Sequence, residues 1–106
     1  MNPFDFLFHE RNKIMQVMIH PSFQVEHWPE FEQFHRAQIE QGVVNWDINL
    51  REINWINSRF LGLLIGFNAI LMYRGGSLKL TLRKNTKFAE IVHQSRLDKI
   101  IAAREV

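Results

Sequence analysis

Residues 43–50, Val-Val-Asn-Trp-Asp-Ile-Asn-Leu, give the clearest indication of the fold. From the second of these residues onward, apolar and polar side chains alternate. Because successive side chains of a β-strand point to opposite faces, this pattern predicts a strand with one buried and one polar face. The expected buried face carries Val44, Trp46, Ile48 and Leu50, and the opposite face carries Asn45, Asp47 and Asn49.

The segments on either side of this strand predict an alternation of strands and helices. Upstream, residues 4–8 and 13–19 have the pattern of two strands, and a helix is expected over residues 28–42. Downstream, we expect a helix over 58–73, a strand over 78–82, a third helix over 85–95 and a short closing element, helix or strand, over 97–103. This alternation predicts an α/β domain with a small mixed β-sheet of about four to five strands, packed with three to four helices.

Length, charge and cysteine content restrict the class of protein. A chain of 106 residues suits one domain, which we place at residues 1–106. Its 13 basic and 11 acidic residues give a net charge of +2, and the basic residues are scattered, so a nucleic acid is not expected as the main partner. The absence of cysteine excludes disulfides, thiolate metal sites and cysteine nucleophiles, and it fits a reducing cytoplasm.

No segment of the sequence has the character of a secretion signal or a membrane span. The first nine residues lack a basic region followed by a long apolar run. The most apolar run, residues 60–73, is shorter than the ~20 residues that a spanning helix needs, and it contains Asn68. We therefore expect a buried helix here and no direct insertion into a membrane.

The sequence lacks the usual motifs of catalytic and cofactor sites. It has no Gly-rich phosphate loop, no Gly-x-Ser-x-Gly elbow and no His-Glu-x-x-His pair. The histidines show no metal-ligand spacing, and we interpret them as surface or half-buried structural residues. They are His9, His20, His27, His35 and His93. These observations predict that the chain is not an enzyme and that it holds no metal or cofactor.

The junction over residues 54–62, between the central strand and the most apolar helix, is the best candidate for a functional site. Ser58 stands at the expected start of that helix, where free backbone N–H groups and the positive end of the helix dipole favour a phosphate. Arg59 adds a cation beside it. The alternative is local, because Asn and Ser are favoured helix N-caps and capping alone would explain Asn57 and Ser58. Phe60 is either an anchor for a partner or a core residue.

Three short motifs carry a resemblance to a known family. Residues 57–62, Asn-Ser-Arg-Phe-Leu-Gly, are similar to the Asp-Ser-Ser/Thr-Gly-Leu-Gly motif of the anti-sigma-factor antagonist (STAS) family. Residues 74–80 resemble its Arg-Gly-Gly-x-Leu-x-Leu motif, and residues 97–100 resemble its closing Leu-Asp-x-Ile/Val segment. The similarity in order and spacing covers residues 13–101.

The resemblance implies a STAS-like fold and a function in bacterial signal transduction and transcription regulation. Many members bind a serine kinase that acts as an anti-sigma factor. Phosphorylation of the serine that follows the motif Asp releases the kinase, and a phosphatase resets the switch. Carried over to this sequence, the acceptor is Ser58. The residues expected to bind the partner are Asn57, Ser58, Arg59, Phe60, Ser22 and Gln24.

The sequence departs from the family pattern at the positions that a kinase would read. Asn57 replaces the motif Asp, Arg59 replaces the second hydroxyl residue, and Phe60 replaces a Gly. Residues 21–24, Pro-Ser-Phe-Gln, take the place of the family's Gly-x-Leu-Asp. The departures change the expected surface while the packing positions are kept.

Two other functions stay open on the sequence. One is a constitutive interaction subunit of a larger complex, a signalling scaffold or lipid-transport machinery, in which Ser58 is only a helix cap. The other is a small enzyme or nucleotide binder, and the absence of a catalytic constellation argues against it.

Overall fold

The computed structural model describes residues 2–54 and 57–106. Within these residues the strands are β1 (Phe4–His9), β2 (Ile14–Ile19), β3 (Asn45–Asn49), β4 (Ser77–Leu82) and β5 (Ala102–Glu105). The α-helices are α1 (Trp28–Glu40), α2 (Ser58–Tyr73) and α3 (Lys87–Gln94), and 3₁₀ turns cover Val25–His27 and Leu97–Lys99. The predicted α/β class is confirmed, and the closing segment contains both a helical turn and a strand.

The strand order places the three helices on one face of the sheet. The strands lie side by side in the order β1 to β5, with β1 and β2 antiparallel and the other neighbours parallel. Parallel neighbours need crossover connections, and such crossovers are almost always right-handed. Because the sheet grows in one direction from β2 to β5, right-handed crossovers bring α1, α2 and α3 to the same side.

Side-chain contacts agree with this one-sided arrangement. The ring of Trp46 in β3 lies 6.2 Å from Phe31 of α1 and 5.3 Å from Phe67 of α2. At the β5 edge, Glu105 contacts His93 of α3 at 2.8 Å. The buried residues of the inner strands alternate along the chain, as expected for one covered face. They are Met15, Val17, Ile19, Trp46, Ile48, Leu78, Leu80 and Leu82.

The opposite face of the sheet carries a polar network. The hydroxyl of Thr81 donates to Asp47 Oδ1 at 3.2 Å, and Arg104 Nε donates to the Thr81 oxygen at 3.1 Å. Arg104 Nη2 also lies 3.7 Å from Asp47 Oδ2. The alternation in residues 43–50 therefore predicted correctly which side chains face away from the helices. Asn49 is also buried on this face. Its Oδ1 accepts hydrogen bonds from N and Nε of Arg51, which compensate for the loss of water.

Aromatic rings build much of the core between the sheet and the helices. Phe31 packs edge-on against Trp28 at 5.1 Å and against Phe67 at 5.7 Å. His35 stacks on Phe67 at 4.3 Å and is only 1% exposed. The prediction of a surface or half-buried position is therefore wrong for His35. One helical turn separates it from Phe31, so the two side chains share the buried face of α1.

The structure also corrects the prediction that α2 is a buried helix. Its inner side is buried through Phe60, Leu64, Phe67, Asn68 and Leu71. Its outer side is open to solvent, with Met72 63% and Tyr73 90% exposed. The reason is architectural: α2 belongs to a single helical layer, so the sheet covers only one side of it.

Candidate functional site

Asn57 caps the N-terminus of α2. Its backbone is extended, and its Oδ1 accepts hydrogen bonds from the N–H groups of Arg59 at 2.9 Å and Phe60 at 3.2 Å. These N–H groups have no carbonyl partner inside the helix, so the cap stabilises the first turn. Trp55 and Ile56, which belong to the same sequence junction, lie outside the described residues.

Ser58 is the first residue of α2, and it is exposed. Since the side chain of Asn57 provides the cap, the Ser58 hydroxyl is not the group that satisfies the first helical N–H groups. The next residue, Arg59, is also exposed. A phosphate on Ser58 would lie at the positive end of the helix dipole and close to a guanidinium, and both stabilise negative charge.

Phe60 belongs to the core. It is 0% exposed, and its ring lies 5.8 Å from Phe23 and 6.1 Å from Trp28. Of the two roles that the sequence left open for Phe60, burial favours the core role over that of a surface anchor. The exposed residues at this end of α2 are Ser58 and Arg59.

The loop after β2 lies beside the start of α2. Its Phe23 is 0% exposed and packs on Phe60. Ser22 and Gln24, which flank Phe23, are exposed, and the backbone N–H of Gln24 donates to Nδ1 of His27 at 2.9 Å. The contact between the two phenylalanines therefore brings two expected partner-binding segments, distant in sequence, to one region of the surface.

A cluster of titratable side chains that we did not predict joins α3 to β5. His93 Nδ1 lies 2.8 Å from Asp98 Oδ2, and His93 Nε2 lies 2.8 Å from Glu105 Oε2. Hydrogen bonds to Glu105 and Asp98 raise the pKa of His93 above its ordinary value, because they favour the doubly protonated ring. No local sequence signal indicates this cluster, since its members come together only when β5 pairs with β4.

His35 is the second histidine with a shifted pKa. Burial among aromatic rings lowers its pKa to about 4, because the cationic form loses its hydration. Its Nδ1 is buried and has no hydrogen-bond partner among the described residues. The spacing of Phe31, His35 and Ile39, four residues apart, is the sequence signal that could have indicated its burial.

In residues 2–54 and 57–106, no group of three or more His, Asp or Glu side chains is arranged to hold a metal ion. In the same ranges, no helix combines the length and the apolar character that crossing a bilayer requires.

Comparison with known proteins identifies the fold. No protein-family model and no curated protein matches the chain. It is similar to the crystal structure of a candidate anti-sigma factor antagonist from Thermotoga maritima, with 17% identity and a TM-score of 0.81 over 97% of this chain and 86% of that chain. An NMR structure of the same Thermotoga protein aligns at 15% identity and a TM-score of 0.81, over 100% of this chain and 83% of that chain.

A third similar structure comes from another organism. It is an anti-sigma factor antagonist from Mycobacterium paratuberculosis, with 18% identity and a TM-score of 0.71 over 94% of this chain and 84% of that chain. At such low identities the likeness concerns the fold, and it agrees with the resemblance that the sequence motifs indicated. The chain therefore has the STAS-like fold of the anti-sigma factor antagonists.

Proposed function

We propose that this chain is a non-catalytic cytoplasmic signalling module that binds a protein partner at the start of α2 and releases it when Ser58 is phosphorylated. The observation that supports this proposal is the division of roles at the helix start. Asn57 accepts the two hydrogen bonds of the cap, at 2.9 Å and 3.2 Å, while Ser58 is exposed beside it. An exposed serine that is not needed for capping is accessible to a kinase.

A phosphate on Ser58 would change the surface without unfolding the helix. It adds a charge of about −1.5 to −2 to the first turn, where the helix dipole favours negative charge. The exposed guanidinium of Arg59 lies next to it in sequence. A partner packed against this end of α2 would have to desolvate the phosphate and meet its charge, so binding is lost while the fold is kept.

The partner expected from the fold class is a serine kinase acting as an anti-sigma factor, with a phosphatase that resets the switch. Its contact surface would include Asn57, Ser58 and Arg59, together with the exposed loop residues Ser22 and Gln24. The buried contact between Phe23 and Phe60 holds these two segments together. Arg59 favours acidic groups on the partner, and a phosphate beside it would neutralise that attraction.

Two linked experiments test the proposal. Phosphopeptide mass spectrometry of the chain from its native host should find phosphate on Ser58. In pull-downs from the same host, Ser58→Ala should retain the partner and Ser58→Asp should lose it. Gln41→Glu is the matched control, since it adds one negative charge at the exposed C-cap of α1, which precedes β3 and so lies at the opposite edge of the sheet from the start of α2. Equal partner binding by Ser58→Ala and Ser58→Asp would contradict the switch.

The second candidate is a constitutive interaction subunit of a signalling scaffold or a lipid-transport complex. The uncharged, exposed outer side of α2 favours it, because such surfaces are usually covered by another protein. It predicts copurification with a stable complex and no phosphate on Ser58 under any growth condition. The same mass-spectrometric measurement therefore distinguishes the two candidates.

A further inference from the structure

The outer face of α2 is apolar along its length. Between Arg59 and Arg74 the chain contains no charged residue. A surface helix normally turns polar and charged side chains to solvent, and a contiguous exposed apolar patch marks an interaction site. The exposed residues that form this outer face are Gly62, Ile65, Gly66, Ala69, Ile70, Met72 and Tyr73.

The outer face contains a hollow at Gly62 and Gly66 and a projecting side chain, that of Ile70. A Cβ atom placed on Gly62 or Gly66 would meet no atom within 4 Å, so the helix backbone is accessible there. Both glycines border a groove of about 160 Å³ between α1 and α2, to which Trp28 and Phe67 also contribute. Ile70 borders the same groove and is 45% exposed. A water molecule occupies about 30 Å³, so a groove of this volume has room for several water molecules and can receive one aliphatic side chain.

We propose that the outer face of α2 binds the same face of a second copy of this chain, with the two helices antiparallel and the two-fold axis at Gly66. A two-fold interface requires a surface that is complementary to itself. Gly62 and Ile70 each lie four residues from Gly66. The axis therefore sets Ile70 of one copy opposite the hollow at Gly62 of the other, and glycine on the axis allows close approach of the helices.

The proposed two-fold axis also brings residues at the two ends of α2 opposite each other. Arg59 and Tyr73 each lie seven residues from Gly66, so each guanidinium is opposite the 90% exposed ring of the other copy. This places a cation over an aromatic face and near the negative C-terminal end of the facing helix. Arg59 also comes near the exposed Arg74 of the other copy, and salt screens this repulsion.

The size of the outer face fits a weak, reversible dimer. The patch exposes on the order of 500 Å² per copy, so two copies bury about 1,000 Å², near the lower limit for a specific interface. Ser58 lies opposite Arg74 in this arrangement, so the dimer would compete with a partner at the start of α2. That competition rests on the proposed function. Self-association does not, and it is measured on the purified, unphosphorylated chain alone.

Site-directed cross-linking tests the position of the axis. The chain has no cysteine, so a single introduced cysteine reports only contacts between copies. Gly66→Cys should form a disulfide-linked dimer under mild oxidation at least about tenfold faster than the control Ala37→Cys, because proximity raises the effective concentration of the thiols. Ala37 is exposed on α1 and is not one of the residues that form the outer face of α2. Equal rates for the two variants would overturn the proposal.

Sedimentation equilibrium of the full chain tests the interface without cross-linking. Gly66→Leu should raise the dimer Kd by about tenfold or more, because a leucine on the axis separates the helices, while it improves helix propensity and keeps the monomer folded. Tyr73→Glu should weaken the dimer similarly, and the matched control Ala37→Leu should leave Kd unchanged. The proposal is overturned if the native chain stays monomeric up to near-millimolar concentration, or if neither substitution in α2 changes Kd.

Discussion

His35 and His93 show how single residues acquire opposite electrostatic properties in this fold. His35 is 1% exposed among aromatic rings, and burial disfavours its cation. His93 is exposed, and Glu105 and Asp98 hold its two nitrogens and favour its cation. A raised pKa contributes stability at low pH that is lost as the pH rises through the folded-state value. A lowered pKa of a base acts in the other direction.

His35 should therefore contribute to the pH dependence of stability. Its pKa falls from 6.5 to about 4 on folding, so the unfolded chain binds the proton more tightly. The contribution of His35 to the free energy of unfolding should be fully present above pH 6.5 and should be lost between pH 6.5 and pH 4, a loss of up to about 3 kcal/mol. Urea unfolding at several pH values measures this loss, and His35→Phe, which keeps a ring against Phe67, should reduce it. An equal loss of stability in His35→Phe would contradict this assignment.

At the start of α2, a local hydrogen-bonded cap determines which of two neighbouring side chains is left exposed. The cap is Asn57 and not Ser58, because only the residue before the first turn can turn its side-chain oxygen back onto the N–H groups of Arg59 and Phe60. That division leaves the serine exposed. The same helix start gains stability from Asn57 and leaves Ser58 exposed to solvent.

Alanine substitutions at these two neighbours should have different effects on stability. Asn57→Ala removes the cap and should lower the free energy of unfolding by about 1 kcal/mol. Ser58→Ala removes an exposed hydroxyl and should change it by less than about 0.5 kcal/mol. Thermal and urea unfolding of both variants beside the native chain measure the difference. A larger loss for Ser58→Ala would mean that the serine, and not Asn57, supports the helix start.

At the scale of the whole molecule, a single layer of helices leaves the sheet with one covered and one open face. Leu80 of β4 is 0% exposed on the covered face, while the adjacent Lys79 is exposed on the open face. The same arrangement leaves the outer face of α2 without a second layer above it. Both surfaces follow from one strand order and one handedness of crossover.

The two faces should respond differently to truncation of neighbouring side chains. Leu80→Ala leaves a cavity in the core and should cost about 2–5 kcal/mol of unfolding free energy. Lys79→Ala should stay within about 0.5 kcal/mol, because it removes an exposed side chain. Urea unfolding compares the two variants at adjacent positions of the same strand. Similar losses would show that the open face is covered by something in solution.

The order of elements, the buried face of β3, the start of α2 and the fold class could all be predicted from the amino-acid sequence. These features depend on interactions between residues close in the chain: alternation along a strand, periodicity along a helix, and turn and capping preferences. The resemblance of residues 57–62 to the family motif also needed only short spacing. These patterns can be recognised in a single sequence because each depends on residues within a short stretch of the chain.

Which residues meet across the fold could not be predicted from the sequence and is known from the structure. The pairing of Phe23 with Phe60, the cluster of His93 with Asp98 and Glu105, and the burial of His35 depend on how whole elements pack. The outer face of α2 is the clearest case. Its composition predicts burial, but strands that advance in one direction with right-handed crossovers place every helix in one layer, so an apolar helix is left with one side in water.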